Sequence, residues 1–199
     1  MGVHVQLVGP LPTPGIGFLT RNMRADAGIV ISASHNAYMD NGIKIFGFDG
    51  YKIPDSMERE IESLVFDADL NSMLAKSQAI GRSKRIDDAD GRYIVYAKNA
   101  FPLEYTLDGL RIVLDCANGA SYKVAPAIFS ELGAECIVLG NQPNGFNIND
   151  KAGALYPARV AEAVQQYRAD VGIAFDGDAD RVVMVDDKGN VVNGDHILA

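Results

Sequence analysis

The stretch Val171-Gly172-Ile173-Ala174-Phe175-Asp176-Gly177-Asp178-Ala179-Asp180-Arg181 joins a short apolar run to three carboxylates at alternate positions. The run Val171 to Phe175 reads as a buried strand. In open α/β sheets, ligands collect beyond the carboxyl ends of strands, and that is where the acids fall. Gly177 and Ala179 keep the loop slim, so the three carboxylates can converge on one point. Gathered at neutral pH they repel: a pair of unit charges ~4 Å apart costs about 4 kcal/mol at an effective dielectric of roughly 20. A bound cation removes that cost. All-oxygen ligands suit Mg²⁺ or Ca²⁺, and Mg²⁺ in particular combines a few carboxylates with a phosphate oxygen. An EF-hand loop also opens Asp-x-Asp-x-Asp but requires Gly at its sixth position and Glu at its twelfth, where this sequence has Arg181 and Asp187. The bland alternative is an acidic hairpin turn in water, an unusual successor to so apolar a strand.

Working outward from this stretch, strand and helix alternate. Arg111 to Asp115 reads as a strand, and Ala125, Ile128, Phe129 and Leu132 mark a helix closed by Gly133, a favoured C-terminal stop. Glu135 to Leu139 is the next strand. After a loop rich in Asn, Gly and Pro from Gly140 to Gly153, Pro157 opens a helix carrying Val160, Val164 and Tyr167. Short connections between alternating elements argue for parallel strands covered by helices on both faces. Beyond the acids, Arg181 to Val185 and Val191-Val192 read as an antiparallel hairpin added to that sheet.

The earlier half repeats the theme less clearly. Val3 to Val8 reads as a strand, Pro12-Thr13-Pro14-Gly15 turns the chain into an apolar segment ending near Arg24, and Ala27 to Ser32 is a second, buried strand. A polar stretch, Ser34 to Gly42, leads to a third strand, Ile43 to Phe46, with Asp49-Gly50 favouring a hairpin turn. Met57, Ile61, Leu64 and Val65 recur at the spacing of one helical face. Another helix is expected over Ile86 to Ala100, with Ala89, Tyr93 and Ala97 inward. A domain boundary is placed at Phe101-Pro102, dividing the chain into 1–101 and 102–199.

Ser34-His35-Asn36 also sits at the end of a buried strand. There is no Gly-x-Ser-x-Gly elbow, and His35 follows Ser34 directly, where neighbouring side chains usually diverge, which argues against a hydrolase triad. A phosphorylated Ser34 would carry roughly -1.5 to -2 charges and could complete the coordination of a metal on the acidic loop. Three aspartates and a phosphoserine bring about -5; a divalent ion returns about +2, and Lys44 with Arg181 about +2 more. Lys44, on the strand just after the serine loop, is near enough to reach back; otherwise it is a solvated strand lysine.

Composition narrows the partners. The 199 residues are 48% hydrophobic and 22% charged, with 18 basic against 26 acidic residues and a net charge of -8. The basic residues form no stripe, which argues against nucleic acid. No apolar run approaches the ~20 residues that span a bilayer, and no secretory signal pattern opens the chain, so the expected location is the cytoplasm, with no membrane partner. Cys116 and Cys136 belong to no CxxC pair and read as free thiols.

Taken together, Ser34-His35-Asn36 and Asp176-Gly177-Asp178-Ala179-Asp180-Arg181 resemble the α-D-phosphohexomutase superfamily, whose members combine a Ser-His-Asn phosphoserine loop with an Asp-Gly-Asp-x-Asp-Arg metal loop in this order. Gly28 to Lys44, Lys84 to Tyr93, Val113 to Ala120 and Pro143 to Asn149 are most similar to its phosphoglucosamine mutase branch. The resemblance implies two consecutive α/β domains with mixed, mainly parallel sheets covered by helices. In these, Ser34 carries a phosphate, and Asp176, Asp178 and Asp180 hold Mg²⁺ with an oxygen from Ser34. Lys44 and Arg181 steady the transferring group, and His35 assists. The implied substrate is a small phosphosugar, glucosamine 6-phosphate converted to its 1-phosphate by way of a bisphosphate.

Ala37 stands where many relatives carry proline, leaving the loop less rigid before phosphorylation. Relatives have four domains, and neither the Ser-Gly-His loop of the third nor the Arg-x-Ser-Gly-Thr loop of the fourth occurs in these residues. The expectation is therefore a fragment, unable alone to complete the mutase cycle, that can self-associate or form a homodimer through surfaces other domains would cover. Two other functions fit parts of the pattern: an aspartate-nucleophile phosphatase using Asp176, and a metal-dependent phosphosugar-binding module.

Overall fold

The computed structural model describes residues 2–67 and 70–198; Met1 and Ala199, the outer ends of the two expected domains, lie outside the described residues. The first half comprises β1 (Val5–Leu7), α1 (Thr13–Asn22), β2 (Ala27–Ser32), β3 (Gly42–Gly47), α2 (Asp55–Asp67), β4 (Ser83–Arg85) and α3 (Ala89–Lys98). The apolar segment after Pro12 is helix α1. Pro14 sits in its first turn, where a missing N–H costs nothing, and Ile16 and Leu19 turn inward.

β2 and β3 pair antiparallel, Ala27 opposite Gly47 and Ser32 opposite Gly42, so the serine loop is the connection of a β-hairpin. Strand alternation puts Val30 and Phe46 into a core with Leu11, Ile16, Leu19 and Ala89. Ile29, Ile31 and Ile43 point the other way and remain 61%, 73% and 65% exposed.

Two local expectations are corrected. The strand foreseen over Val3 to Val8 shortens to three exposed residues that pair parallel with β4, and Ser83-Lys84-Arg85 has no apolar alternation to announce a strand. The helix foreseen from Ile86 starts at Ala89, because the Ile86 N–H donates to Leu7 O at 2.9 Å and prolongs the β1–β4 edge. Helix α2 forms as its periodicity requires, yet Met57, Leu64 and Val65 are largely exposed. Periodicity dictates a helix; burial also needs a partner surface.

The second half comprises β5 (Arg111–Asp115), α4 (Val124–Glu131), β6 (Glu135–Leu139), α5 (Pro157–Tyr167), β7 (Val171–Phe175), β8 (Val182–Val185), β9 (Val191–Val192) and α6 (Gly194–Leu198). They build one sheet in the order β6-β5-β7-β8-β9, with β6, β5 and β7 mutually parallel and β8 and β9 antiparallel. Val113, Ala174 and Val185 meet Val160 and Val164 of α5 on one face, while Ile112, Leu114 and Ile173 meet Phe129 of α4 on the other. Burying each such valine or leucine side chain contributes about 1.5–3 kcal/mol. α4 also serves the first half, since Val124 and Ile128 pack into the core of α1, β2 and β3. Among the described residues no helix is long and apolar enough to cross a membrane.

Candidate functional site

Beyond Phe175, at the carboxyl end of β7, the chain turns through Asp176 to Asp180 with Ala179 in the left-handed region at φ 55°. Ligand oxygens of Asp176, Asp178 and Asp180 then lie within 4.8 Å of one another. Each acid is anchored through one oxygen. Asp176 Oδ1 accepts from the Arg181 N–H at 3.2 Å. Asp178 Oδ2 accepts from Thr13 Oγ1 and from Lys44 Nζ, both at 2.6 Å, and Asp180 Oδ2 accepts from Lys44 Nζ at 2.9 Å. The remaining oxygens of the two buried acids, Asp176 Oδ2 and Asp178 Oδ1, have no hydrogen-bond partner among the described residues.

The electrostatics follow from that arrangement. Burial, with the neighbouring Asp178 and Asp180 charges, pushes the Asp176 carboxyl up to about 6 despite a main-chain hydrogen bond from Arg181. Burial acts on Asp178 as well, but hydrogen bonds from Lys44 and Thr13, the Lys44 charge and the Ser34 side chain outweigh it and hold its carboxyl below the ordinary range. Burial likewise works against the Lys44 ammonium, and the bonds to Asp178 and Asp180 reverse this, so its pKa is raised. Buried polar groups without partners are costly. Two such carboxylate oxygens, hard donors converging beside a third acid, are the donor set a small divalent cation requires, so the residues fit a metal.

Ser34 reaches the same place from the other half of the chain. It follows the buried Ala33 at the end of β2 and adopts the left-handed conformation, φ 51°. Its N–H donates to Ser32 Oγ at 2.9 Å, and its Oγ lies 3.4 Å from His35 Nδ1. Gly177 leaves room for it: a Cβ there would fall 2.5 Å from the Ser34 carbonyl oxygen. Lys44, opposite Val30 in the hairpin, points to the acids. The serine hairpin and the acid loop thus border a common cleft of about 940 Å³, lined in part by Thr13, Ser34, Asn36, Lys44 and Asp180.

Of the residues singled out in the sequence, Ser34, His35, Lys44, Asp176, Asp178 and Asp180 gather here. Arg181 joins mainly through its main chain; its side chain is exposed, with Nε 4.0 Å from Asp180 Oδ1. Two residues escaped the sequence reading. Thr13 binds Asp178 through its side chain and also donates its N–H to the Asp178 carbonyl at 2.9 Å; the Pro-Thr-Pro helix start was its faint signal. Asn149 donates from Nδ2 to the carbonyls of Ser34 and Asn36, each at 2.8 Å, and lay hidden in an Asn-rich loop that read as turn chemistry.

Sheet and site together define an α/β protein in which a serine hairpin closes against the acidic loop of a second sheet. Its residues 1–72 match the family model for phosphoglucomutase/phosphomannomutase alpha/beta/alpha domain I, and residues 91–189 match that for domain II. The chain belongs to the phosphoglucomutase/phosphomannomutase family. It is 72% identical over 199 residues to a phosphoglucosamine mutase of Bdellovibrio bacteriovorus and 60% identical over the same length to one of Geobacter metallireducens. All of this chain but only 44% of each relative is covered, so it spans less than half their length. A solved phosphoglucomutase/phosphomannomutase family protein from Burkholderia thailandensis superposes with a TM-score of 0.76 at 26% identity, over 97% of this chain and 42% of that one.

Proposed function

We propose that this chain forms the phosphoryl-carrying and metal-holding part of a phosphoglucosamine mutase, which interconverts glucosamine 6-phosphate and glucosamine 1-phosphate. The observation that carries the reading is the pair of buried, unpartnered oxygens on Asp176 and Asp178, set beside a left-handed Ser34 that approaches from 142 residues away in sequence (176 − 34). The names of the relatives support the amino-sugar substrate.

In this reading Ser34 Oγ carries the phosphoryl group. Its Oγ–P bond breaks as a bond forms between phosphorus and a sugar hydroxyl oxygen, and the proton that hydroxyl gives up ends on the departing Ser34 Oγ. The bisphosphate so made turns round, and its other phosphate returns to Ser34. Catalysis of such transfers is positioning plus stabilisation of charge spread over the phosphoryl oxygens. Lys44 and Arg181 supply fixed positive charge, and His35, 3.4 Å from Oγ, is positioned to exchange a proton with it. Asp176, Asp178 and Asp180, with Ser34 or its phosphate, would hold Mg²⁺, which when bound would supply positive charge to offset theirs and that of the transferring group. Lys44, paired with Asp178 and Asp180, contributes to that neutralisation.

The division into 1–101, bearing the serine loop, and 102–199, bearing the metal loop, belongs to the same proposal. So does a cytoplasmic site of action on a small-molecule phosphosugar.

The test is phosphoryl uptake from glucosamine 1,6-bisphosphate by the purified chain with Mg²⁺, followed by intact mass and peptide mapping. Acid-stable phosphate on Ser34, absent in Ser34→Ala, is the expected result. Acid-labile phosphate on Asp176 would overturn the reading in favour of an aspartate-nucleophile phosphatase.

A further inference from the structure

The serine loop has little of its own to hold it. Between Ala33 and Asn41 its internal bonds are the Asn36 N–H to Ala33 O, the Asp40 N–H to Ala37 O, Asn41 Nδ2 to Tyr38 O and the contact of Ser34 with His35. Yet Ser34 occupies the left-handed region, sparsely populated by residues other than glycine, and a residue kept there must be held by its surroundings. The main-chain carbonyls of this loop accept two hydrogen bonds from the second half, among the described residues, both donated by Asn149 Nδ2, while the Ser34 side chain interacts with Asp178 and the Tyr38 ring meets that of Phe146 edge-on.

Asn149 is itself immobilised. It is 7% exposed, its N–H donates to Ala117 O at 2.9 Å, and its backbone is left-handed at φ 58°, a conformation asparagine tolerates well. Both acceptors are main-chain carbonyls flanking His35, so one amide group sets the direction of the two peptide units on either side of it. The same carboxamide packs against Gly177, where an added Cβ would lie 2.8 Å from Nδ2 and 2.5 Å from Ser34 O. The serine backbone is therefore referenced to the metal loop through one buried side chain.

We propose that Asn149 is a positioning residue for phosphoryl transfer, fixing the Ser34 and Asn36 carbonyls so that Ser34 Oγ faces the acid cluster. The inference rests on the mutase reading above, in which Ser34 is the phosphoryl carrier. Among the described residues the Asn149 side chain hydrogen-bonds to these carbonyls and not to the acids or to Ser34 Oγ, so its loss slows transfer while leaving metal and sugar phosphate binding intact.

The experiment follows Ser34 phosphorylation in time, over a range of glucosamine 1,6-bisphosphate concentrations with Mg²⁺, in the wild-type chain, Asn149→Asp and Asn149→Ala. The expected result is a maximal rate constant lower by roughly ten- to hundredfold. The half-saturating bisphosphate concentration and the Mg²⁺-induced rise in Tm stay as in the wild type. Asn149→Asp, near in shape but turning an oxygen toward both carbonyls, is at least as slow as Asn149→Ala. Amide exchange over residues 33–41 quickens in both.

Wild-type rates in either variant overturn the proposal, as does a rate loss matched by an equal loss of the Mg²⁺ response, which marks a merely structural residue. Should Asn149→Asp fail to fold, Asn149→Ala, which buries no charge, decides. If the wild-type chain takes no phosphate on Ser34, the mutase reading fails and this inference with it. If it does and the variants keep pace, the inference alone fails.

Discussion

The Asp176 carboxyl, raised from 3.8 to about 6 by burial and by its acidic neighbours, sets a sign for the dependence of stability on pH. Its folded value lies above its unfolded one, so the folded chain holds the proton more tightly. The contribution is complete below 3.8 and is lost as pH rises through about 6. Asp178, held low, acts oppositely: its contribution is present above 3.8 and fades as pH falls. Asp176→Asn removes the buried charge, so we expect it to melt higher than the metal-free wild type at pH 8 and to match it near pH 4. The same substitution should abolish the rise in Tm that Mg²⁺ brings to the wild type, a rise that itself shrinks below pH 6 as Asp176 takes up a proton. Thermal melts in EDTA and in Mg²⁺ at the two pH values read both effects. An unchanged Mg²⁺ response in Asp176→Asn would remove Asp176 from the ligand set.

Among the elements, the two loops that meet at Gly177 decide whether the hairpin and the sheet can share a site. Gly177 is buried, and a Cβ added to it would lie 2.5 Å from the Ser34 carbonyl oxygen, 2.7 Å from Ile148 Cδ1 and 2.8 Å from Asn149 Nδ2. Gly177→Ala must push the serine hairpin away from β7, because neither a main-chain carbonyl nor a locked amide can yield as a flexible chain end does. We expect a cost of about 1–3 kcal/mol in urea denaturation, the range for overpacking a well-filled contact, together with loss of phosphate uptake at Ser34. The five-stranded sheet should keep its secondary structure by circular dichroism. Wild-type stability and uptake would mean that the loops do not approach this closely in solution. These elements were unequally legible. β5, β6 and β7 followed from continuous apolar runs, whereas β4 did not, because an exposed strand of Ser, Lys and Arg is identified only by the neighbour it pairs with.

For the whole molecule, the outward face of the β2–β3 hairpin is an exposed apolar surface outside the closed core. Ile31 and Ile43 are cross-strand partners, and Ile29 lies on the same face, all well exposed. Contiguous apolar surface of this kind favours association. We expect the chain to self-associate at raised concentration in sedimentation experiments, and Ile29→Lys with Ile31→Lys, neither of which lines the cleft, to return it to the monomer without loss of phosphate uptake. A monomeric wild type at all concentrations would refute this.

What the sequence alone determined was local: apolar runs that must be strands, apolar stripes that must be helices, and three acids at the end of one strand whose mutual repulsion calls for a cation. Tertiary structure decided which distant groups meet there. Thr13 is 165 residues from Asp178 and Asn149 is 115 from Ser34, and no periodicity reaches so far. A hydrogen bond between such partners depends on how two sheets and the helix shared between them pack, a property of the whole chain that no short stretch of it carries.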